Sequence, residues 1–289
     1  SLYPDRIVIG AGDDKVVAQL RTLYQPFLEQ SFEPPEFLPR PACCQQVPLV
    51  QTSVVSSELI KYAANAFLAT KISFANELSL LAEHCGADVN DVTRGIGLDH
   101  RIGPAFLKAG LGWGGSCFAK DTAALVRTAG EYGISLHITE AARCANTRQR
   151  GHAIVKLQQE LRILQGKTIG VLGLSFKPHT DDLRDSPALD IIGRLLQRGA
   201  RVRAHDPAAM QRTQAEYSWD VEYCKNAEAV AQDADALLLA TEWPQYGRLP
   251  WKRLASRMRT PLLLDGRNFL DRSTVERAGF RYVDFGRCA

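Results

Sequence analysis

Thr168-Ile169-Gly170-Val171-Leu172, entered from Gly166 and left through Gly173-Leu174-Ser175-Phe176-Lys177-Pro178, is where the hydrophobic period of this 289-residue chain changes. Before it, apolar residues recur at helical spacing; from it onward, short apolar runs alternate with helical segments. Residues 201–204, 236–240, 262–264 and 282–283 repeat the strand signal. Residues 187–198, 227–232, 251–258 and 274–278 read as the helices between them. Strands alternating with helices predict a parallel sheet covered on both faces, so residues 166–289 form a doubly wound α/β domain.

Working back toward the N-terminus, residues 138–164 carry a helical pattern with Arg143, Arg148, Arg150 and Lys156, long enough to bridge two domains. Ser116 is placed to cap a helix running toward Gly130, and the glycine-rich stretch 101–115 reads as loop. Asp88 starts a short helix that ends near Gly95. Residues 57–85 form a long helix free of Pro and Gly, closed by Gly86. The middle third, 54–165, is therefore all-helical.

At the front, a strand over residues 6–9 leads into a helix from about Asp14, with Val17, Leu20, Leu23 and Tyr24 on one face. The turn between them, Gly10-Ala11-Gly12-Asp13-Asp14-Lys15, imitates the start of a dinucleotide fingerprint. It is rejected as one, because Lys15 replaces the third glycine and Asp13 and Asp14 put negative charge where a pyrophosphate would sit. Acidic residues there serve as helix caps and dipole complements. A proline-rich stretch, 32–48, precedes a short strand at 49–52; Cys43-Cys44 within it are read as incidental.

Composition narrows the function classes. Thirty-five Lys and Arg against 32 Asp and Glu give a net charge of only +3. With no basic stripe interleaved with aromatics, nucleic acid is not the expected partner. No apolar run approaches the ~20 residues that span a bilayer, and the N-terminus is no signal peptide, so a cytoplasmic protein is expected. Seven Cys without a Cys-x-x-Cys pair or zinc spacing argue for reduced thiols and no metal.

Two constellations carry chemistry. In Gly112-Trp113-Gly114-Gly115-Ser116-Cys117-Phe118-Ala119-Lys120-Asp121 the glycines suit backbone lying close to a ligand, since no strand precedes them to make a nucleotide fingerprint. Cys117 falls in the first turn of a helix, where the dipole favours thiolate, and Asp121 lies one turn further on the same face. A catalytic nucleophile and an inert helix-start cysteine both satisfy this pattern. In Glu58-Leu59-Ile60-Lys61-Tyr62-Ala63-Ala64-Asn65, the polar residues Glu58, Lys61 and Asn65 form one narrow stripe on a helix apolar enough to be buried nearly all round. That stripe is either functional or a structural Lys–Glu pair. Phe176-Lys177-Pro178, Arg184 and Asp265-Gly266-Arg267 lie past strand ends on one sheet edge, where open parallel sheets bind ligands.

These residues closely resemble the UDP-glucose 6-dehydrogenase family, over 58–77 (ELIKYAANAFLATKISFANE), 101–121 (RIGPAFLKAGLGWGGSCFAKD), 173–185 (GLSFKPHTDDLRD) and 265–267 (DGR). The resemblance implies two NAD-dependent oxidations of UDP-glucose to UDP-glucuronate through a thiohemiacetal and a thioester on Cys117. Lys61 would serve acid/base and oxyanion chemistry, Asn65 the oxyanion, and Asp121 the hydrolytic water. Arg101, Phe106, Lys108, Gly112, Gly114, Phe176, Lys177 and Arg267 would bind the nucleotide sugar, Arg101 that of the neighbouring subunit. Cys117, Lys120 and Arg184 would touch NAD.

The implied architecture is the remnant of an N-terminal Rossmann domain (1–53), a central helical domain forming a homodimer (54–165) and a C-terminal UDP-binding domain (166–289). Phe118 after Cys117 is more similar to the UDP-glucose enzymes than to those for GDP-mannose or UDP-N-acetylmannosamine, which stand as alternatives. The family's N-terminal glycine fingerprint and its Phe-Leu-x-Glu-Gly segment are absent, and the stretch 32–48 is longer than the resemblance implies. The expectation is therefore a truncated chain that does not turn over UDP-glucose alone and acts as a UDP-sugar-binding and dimerisation fragment.

Overall fold

The computed structural model describes residues 2–42 and 44–287, so the reading of Cys43 falls outside the described residues. The chain divides into two compact units, Ser1–Ala64 and Asn65–Ala289. In the first, β1 (Ile7–Gly10), α1 (Asp14–Leu28) and β2 (Leu49–Thr52) make a small parallel unit, Ile7 pairing with Leu49. Asp13 caps α1 by accepting from Lys15 N at 2.8 Å, which is the role expected of the acidic turn. A side chain at Gly10 would run into Ser57 Oγ, 2.1 Å away, so this turn is closed by the chain itself.

Helix α2 (Val54–Cys85) begins three residues earlier than Ser57 and continues through the boundary between the units. In the second unit follow α3 (Val89–Gly97), α4 (Ser116–Glu131) and α5 (His137–Leu161). Two expectations fail here. The residue before α4 is Gly115, at φ +88°, so Ser116 is already helical and is not the cap; Cys117 still lies in the first turn. And α2 is not buried all round. It turns small residues inward (Ala66, Ala69, Ser73, Asn76, Ser79, Ala82) and leaves Phe67 67%, Phe74 50% and Leu81 61% exposed. The small face is what allows close approach to α5, where Ser73 Oγ donates to Ala142 O at 2.7 Å.

The sheet follows as read. β3 (Thr168–Leu172), α6 (Pro187–Gln197), β4 (Arg201–His205), α7 (Met210–Glu216), β5 (Val221–Tyr223), α8 (Ala227–Ala231), β6 (Ala236–Leu239), α9 (Trp251–Ala255), β7 (Leu262–Asp265), α10 (Arg272–Arg277) and β8 (Arg281–Val283) build six parallel strands in the order β5-β4-β3-β6-β7-β8. A 3-10 turn, Pro244–Arg248, precedes α9. α7 and β5 were not expected, being a polar helix and a three-residue edge strand with too little apolar signal to register.

Side chains alternate between two cores. Ile169, Val171, Leu238 and Leu264 face α5 and α6 through Ile154, Leu157, Ile191 and Leu195. Leu172, Leu237, Leu239 and Leu263 face the opposite layer with Val230, Trp251, Leu254 and Val275. Gly170 lets that layer in: a Cβ there would stand 2.5 Å from Val230. Among the described residues no helix is long and apolar enough to cross a membrane.

Candidate active site

The loop from Gly110 to Gly115 is buried, yet it has no ladder to satisfy its peptide groups. Amide side chains do so instead. Asn76 Oδ1 accepts from Gly110 N at 2.9 Å, and Gln149 Nε2 donates to Gly110 O at 2.8 Å. Asn146 takes Trp113 on both sides, accepting from its N at 2.8 Å and donating to its O at 3.0 Å. Arg150 Nη2 also donates to Trp113 O at 2.8 Å, while Nη1 pairs with Asp185 at 2.8 Å. Leu111 N reaches Gly266 O, and Gly115 N reaches Arg184 O. None of Asn76, Asn146, Gln149 or Arg150 was picked out from sequence as holding this turn.

The glycines of this loop also pack closely against the rest of the chain. What their backbone lies against is protein: a Cβ on Gly110 would stand 2.6 Å from Gly266 O, on Gly112 2.3 Å from Asn146 Oδ1, and on Gly114 2.3 Å from Asp185 O. On Gly115 it would enter the Phe176 ring. The turn is pressed between α5, the loop after β3 and the loop after β7.

Cys117 stands exposed on the first turn of α4, with Ser116 Oγ 3.8 Å from its sulfur. One turn on, Asp121 is fully buried and receives Lys120 Nζ on Oδ1 and Asn65 Nδ2 on Oδ2, each at 2.7 Å. Asn65, Lys120 and Asp121, each named from sequence, thus form one contact group. Lys61 lies in the first unit, its Nζ 5.3 Å from the Tyr62 ring centre.

A cavity of about 310 Å³ collects the residues expected to bind substrate: Phe106, Lys108, Gly112, Gly114, Phe176, Lys177 and Arg267 all line it. Trp113, Phe118 and Glu242 join them. Phe106 and Trp113 flank Phe118 edge-on, at 6.1 and 6.0 Å between ring centres. Phe106 holds φ at +64°, which is unusual for an aromatic residue. Arg267 donates Nε to Ala240 O at 2.7 Å, with Gly112 O and Phe176 O at 3.3 and 3.4 Å from its Nη atoms. Burial pushes the guanidinium's pKa below its ordinary value, and Glu242 beside it opposes that. Lys108, Lys177 and Arg267 against Glu242 make the cavity suited to an anion.

Two named residues stand apart. Arg101 is exposed and paired with Asp99 at 2.6 Å, and Arg184 is exposed and paired with Asp182 at 2.6 Å; neither lines the cavity. A larger groove, about 690 Å³, runs along α6 past Arg194 and Trp219, and none of the named site residues lines it. Among the described residues no group of three or more His, Cys, Asp or Glu could hold a metal ion. The α1 start does not fit a dinucleotide's pyrophosphate, being capped by Asp13 and closed by Ser57.

Residues 55–148 match the central domain of the UDP-glucose/GDP-mannose dehydrogenase family, and residues 170–272 match its UDP binding domain. The UDP-glucose 6-dehydrogenase TuaD of Bacillus subtilis is 42% identical over 99% of this chain, which spans 58% of that relative. The UDP-glucose 6-dehydrogenase of Rhizobium meliloti is 44% identical over 98% of the chain, which spans 62% of it. A UDP-glucose dehydrogenase structure from Pyrobaculum islandicum superposes with a TM-score of 0.85 at 37% identity, covering 99% of this chain and 60% of that one.

Proposed function

The chain belongs to the UDP-glucose/GDP-mannose dehydrogenase family, and on that premise we propose that it is the thiol-bearing and sugar-nucleotide-binding part of a cytoplasmic UDP-glucose 6-dehydrogenase. The division into residues 1–53, 54–165 and 166–289 belongs to the same proposal. The observation that carries it is the 310 Å³ cavity, where seven of these residues from three separate sequence stretches meet, two lysines and an arginine among them. UDP supplies the anion such a cavity wants, and Lys108, Lys177 and Arg267 would hold its diphosphate. Phe106, Phe176 and the backbone at Gly112 and Gly114 would shape the rest, and Arg101 would serve a neighbouring subunit's ligand.

In this reading Cys117 Sγ bonds to C6 of the sugar aldehyde and gives a thiohemiacetal; after oxidation the thioester takes up water, the C–S bond breaks, and carboxylate and thiol are released. NAD supplies the hydride acceptor when bound, and would meet this chain at Arg184, Lys120 and Cys117. Asn65 donates one Nδ2–H to Asp121 and keeps the other for the oxyanion. Asp121 fixes Asn65 and would order the hydrolytic water, while Lys61 would handle the proton. The outward apolar residues of α2 would form a homodimer.

Calorimetric titration of the chain with UDP-glucose, UDP-N-acetylmannosamine, GDP-mannose and NAD tests this. UDP-glucose should bind selectively, and Arg267→Ala should weaken it by a factor of ten or more. Because the α1 turn excludes pyrophosphate, the chain alone should form no NADH. Equal binding of all three nucleotide sugars, or turnover by the chain alone, would overturn the corresponding part of the reading.

A further inference from the structure

Glu242 is a carboxylate in a cavity otherwise made for an anion. Its Oε2 is buried and accepts no hydrogen bond. Arg267 Nε lies 3.3 Å away, but that N–H is donated to Ala240 O at 2.7 Å, so the pair is held by charge without a hydrogen bond. A buried acceptor left unmade costs about 1–3 kcal/mol, and a retained one calls for a partner.

The residue is also rigidly placed. Thr241 before it is fully buried and donates Oγ1 to Ser175 O, and Trp243 after it is buried and donates Nε1 to Asp206 at 3.2 Å. Glu242 is therefore presented into the cavity from two fixed neighbours, immediately past the end of β6.

We propose that Glu242 sets the specificity of this cavity for nucleoside diphosphates over bare phosphate anions: Oε2 accepts a hydrogen bond from an N–H or O–H donor of the ligand, while its charge beside Arg267 disfavours a phosphate that brings no donor. Arg267 then serves two anions, the resident carboxylate and the incoming diphosphate. A ligand with a donor converts the carboxylate from a repulsive neighbour into a binding contact. Inorganic pyrophosphate has the charge and lacks the donor-bearing nucleoside. The inference rests on reading the cavity as the nucleotide-sugar site.

The experiment is calorimetric titration of the whole chain with UDP, UDP-glucose and inorganic pyrophosphate, for the wild type, Glu242→Ala and Glu242→Gln. In Glu242→Ala, UDP should weaken about tenfold, the loss of a hydrogen bond to a charged group, and pyrophosphate should tighten. Glu242→Gln keeps an acceptor in place and should retain UDP within a few-fold while still tightening pyrophosphate. A loss shared by UDP and UDP-glucose assigns the donor to the nucleoside; a loss confined to UDP-glucose places the donor on the hexose and overturns selection of the nucleoside diphosphate. Parallel changes for UDP and pyrophosphate, or no change in either, overturn the specificity role. A wild-type chain that binds no UDP overturns the reading of the cavity itself. Far-UV circular dichroism separates any unfolded variant, and Glu242→Gln, nearly isosteric, keeps the test decisive.

Discussion

Asn146 holds one residue, Trp113, by both its N–H and its carbonyl, and both bonds are buried. Two hydrogen bonds of about 1 kcal/mol each, plus the cost of leaving the buried Trp113 N–H unpaired while Arg150 still serves its carbonyl, set the scale of its removal. Asn146→Ala should destabilise the chain by about 2–4 kcal/mol, measured by urea unfolding. Gly112→Ala should be at least as damaging, because the new methyl would stand 2.3 Å from that same Asn146 oxygen at a backbone φ of +96°. Unchanged urea midpoints in both variants would mean that the turn is not held as described.

At this scale the sequence told half the story. Cys117 and Asp121 were legible because a helix start after a glycine run fixes their spacing. Asn76, Asn146 and Gln149 were not, because an amide on a helix looks like any solvated polar residue until burial shows that it faces a loop. Glu242 was missed for a related reason: one carboxylate past a strand end has no pattern of its own.

Among the elements, α2, α5 and the C-terminal segment after β8 are joined at one carboxylate. Glu83 of α2 receives Lys156 Nζ at 2.7 Å and His152 Nε2 at 3.3 Å from α5, and Gly286 N at 2.8 Å from the tail. Gly286 has to be glycine, since at φ +79° its Cβ would stand 2.7 Å from Ser79 Cα. Burial pushes the Glu83 carboxyl up, but the hydrogen bonds from His152, Lys156 and Gly286 outweigh it and bring the pKa from 4.5 to about 2.

The unfolded chain therefore takes up this proton first. The stability is complete above pH 4.5 and lost as pH falls toward 2. The whole contribution is at most about 3 kcal/mol, of which roughly 2 is gone by pH 3. Unfolding free energies from urea titrations at pH 6 and pH 3 should differ by about 2 kcal/mol less in Glu83→Gln than in the wild type; an equal difference would mean the carboxyl titrates normally in the folded chain. The helices themselves were visible from period and glycine punctuation. This junction was not, because it joins residues more than 200 positions apart.

For the whole molecule, the alternation after Gly166 sufficed to give the parallel sheet, since each strand is an apolar run between turn residues. The same hydrophobicity misled for α2, where apolar residues were taken as buried and the small ones turned out to be inside. Phe67, Phe74 and Leu81 recur at seven-residue intervals, so they lie along one side of that helix and make a seam suited to a second copy. Sedimentation equilibrium should give a dimer for the wild type and a monomer for Phe74→Glu. A wild-type monomer, or a dimer unaffected by this substitution, would remove α2 from the interface.

The peptide groups of Gly110, Leu111, Trp113 and Gly115 are tied to Asn76, Gly266, Asn146 and Arg184, on segments scattered across the chain. No small opening frees them separately. In hydrogen–deuterium exchange this stretch, though it belongs to no helix or strand, should therefore exchange as slowly as the central strands. Its amides would report on unfolding of the entire second unit and not on the flexing of a loop.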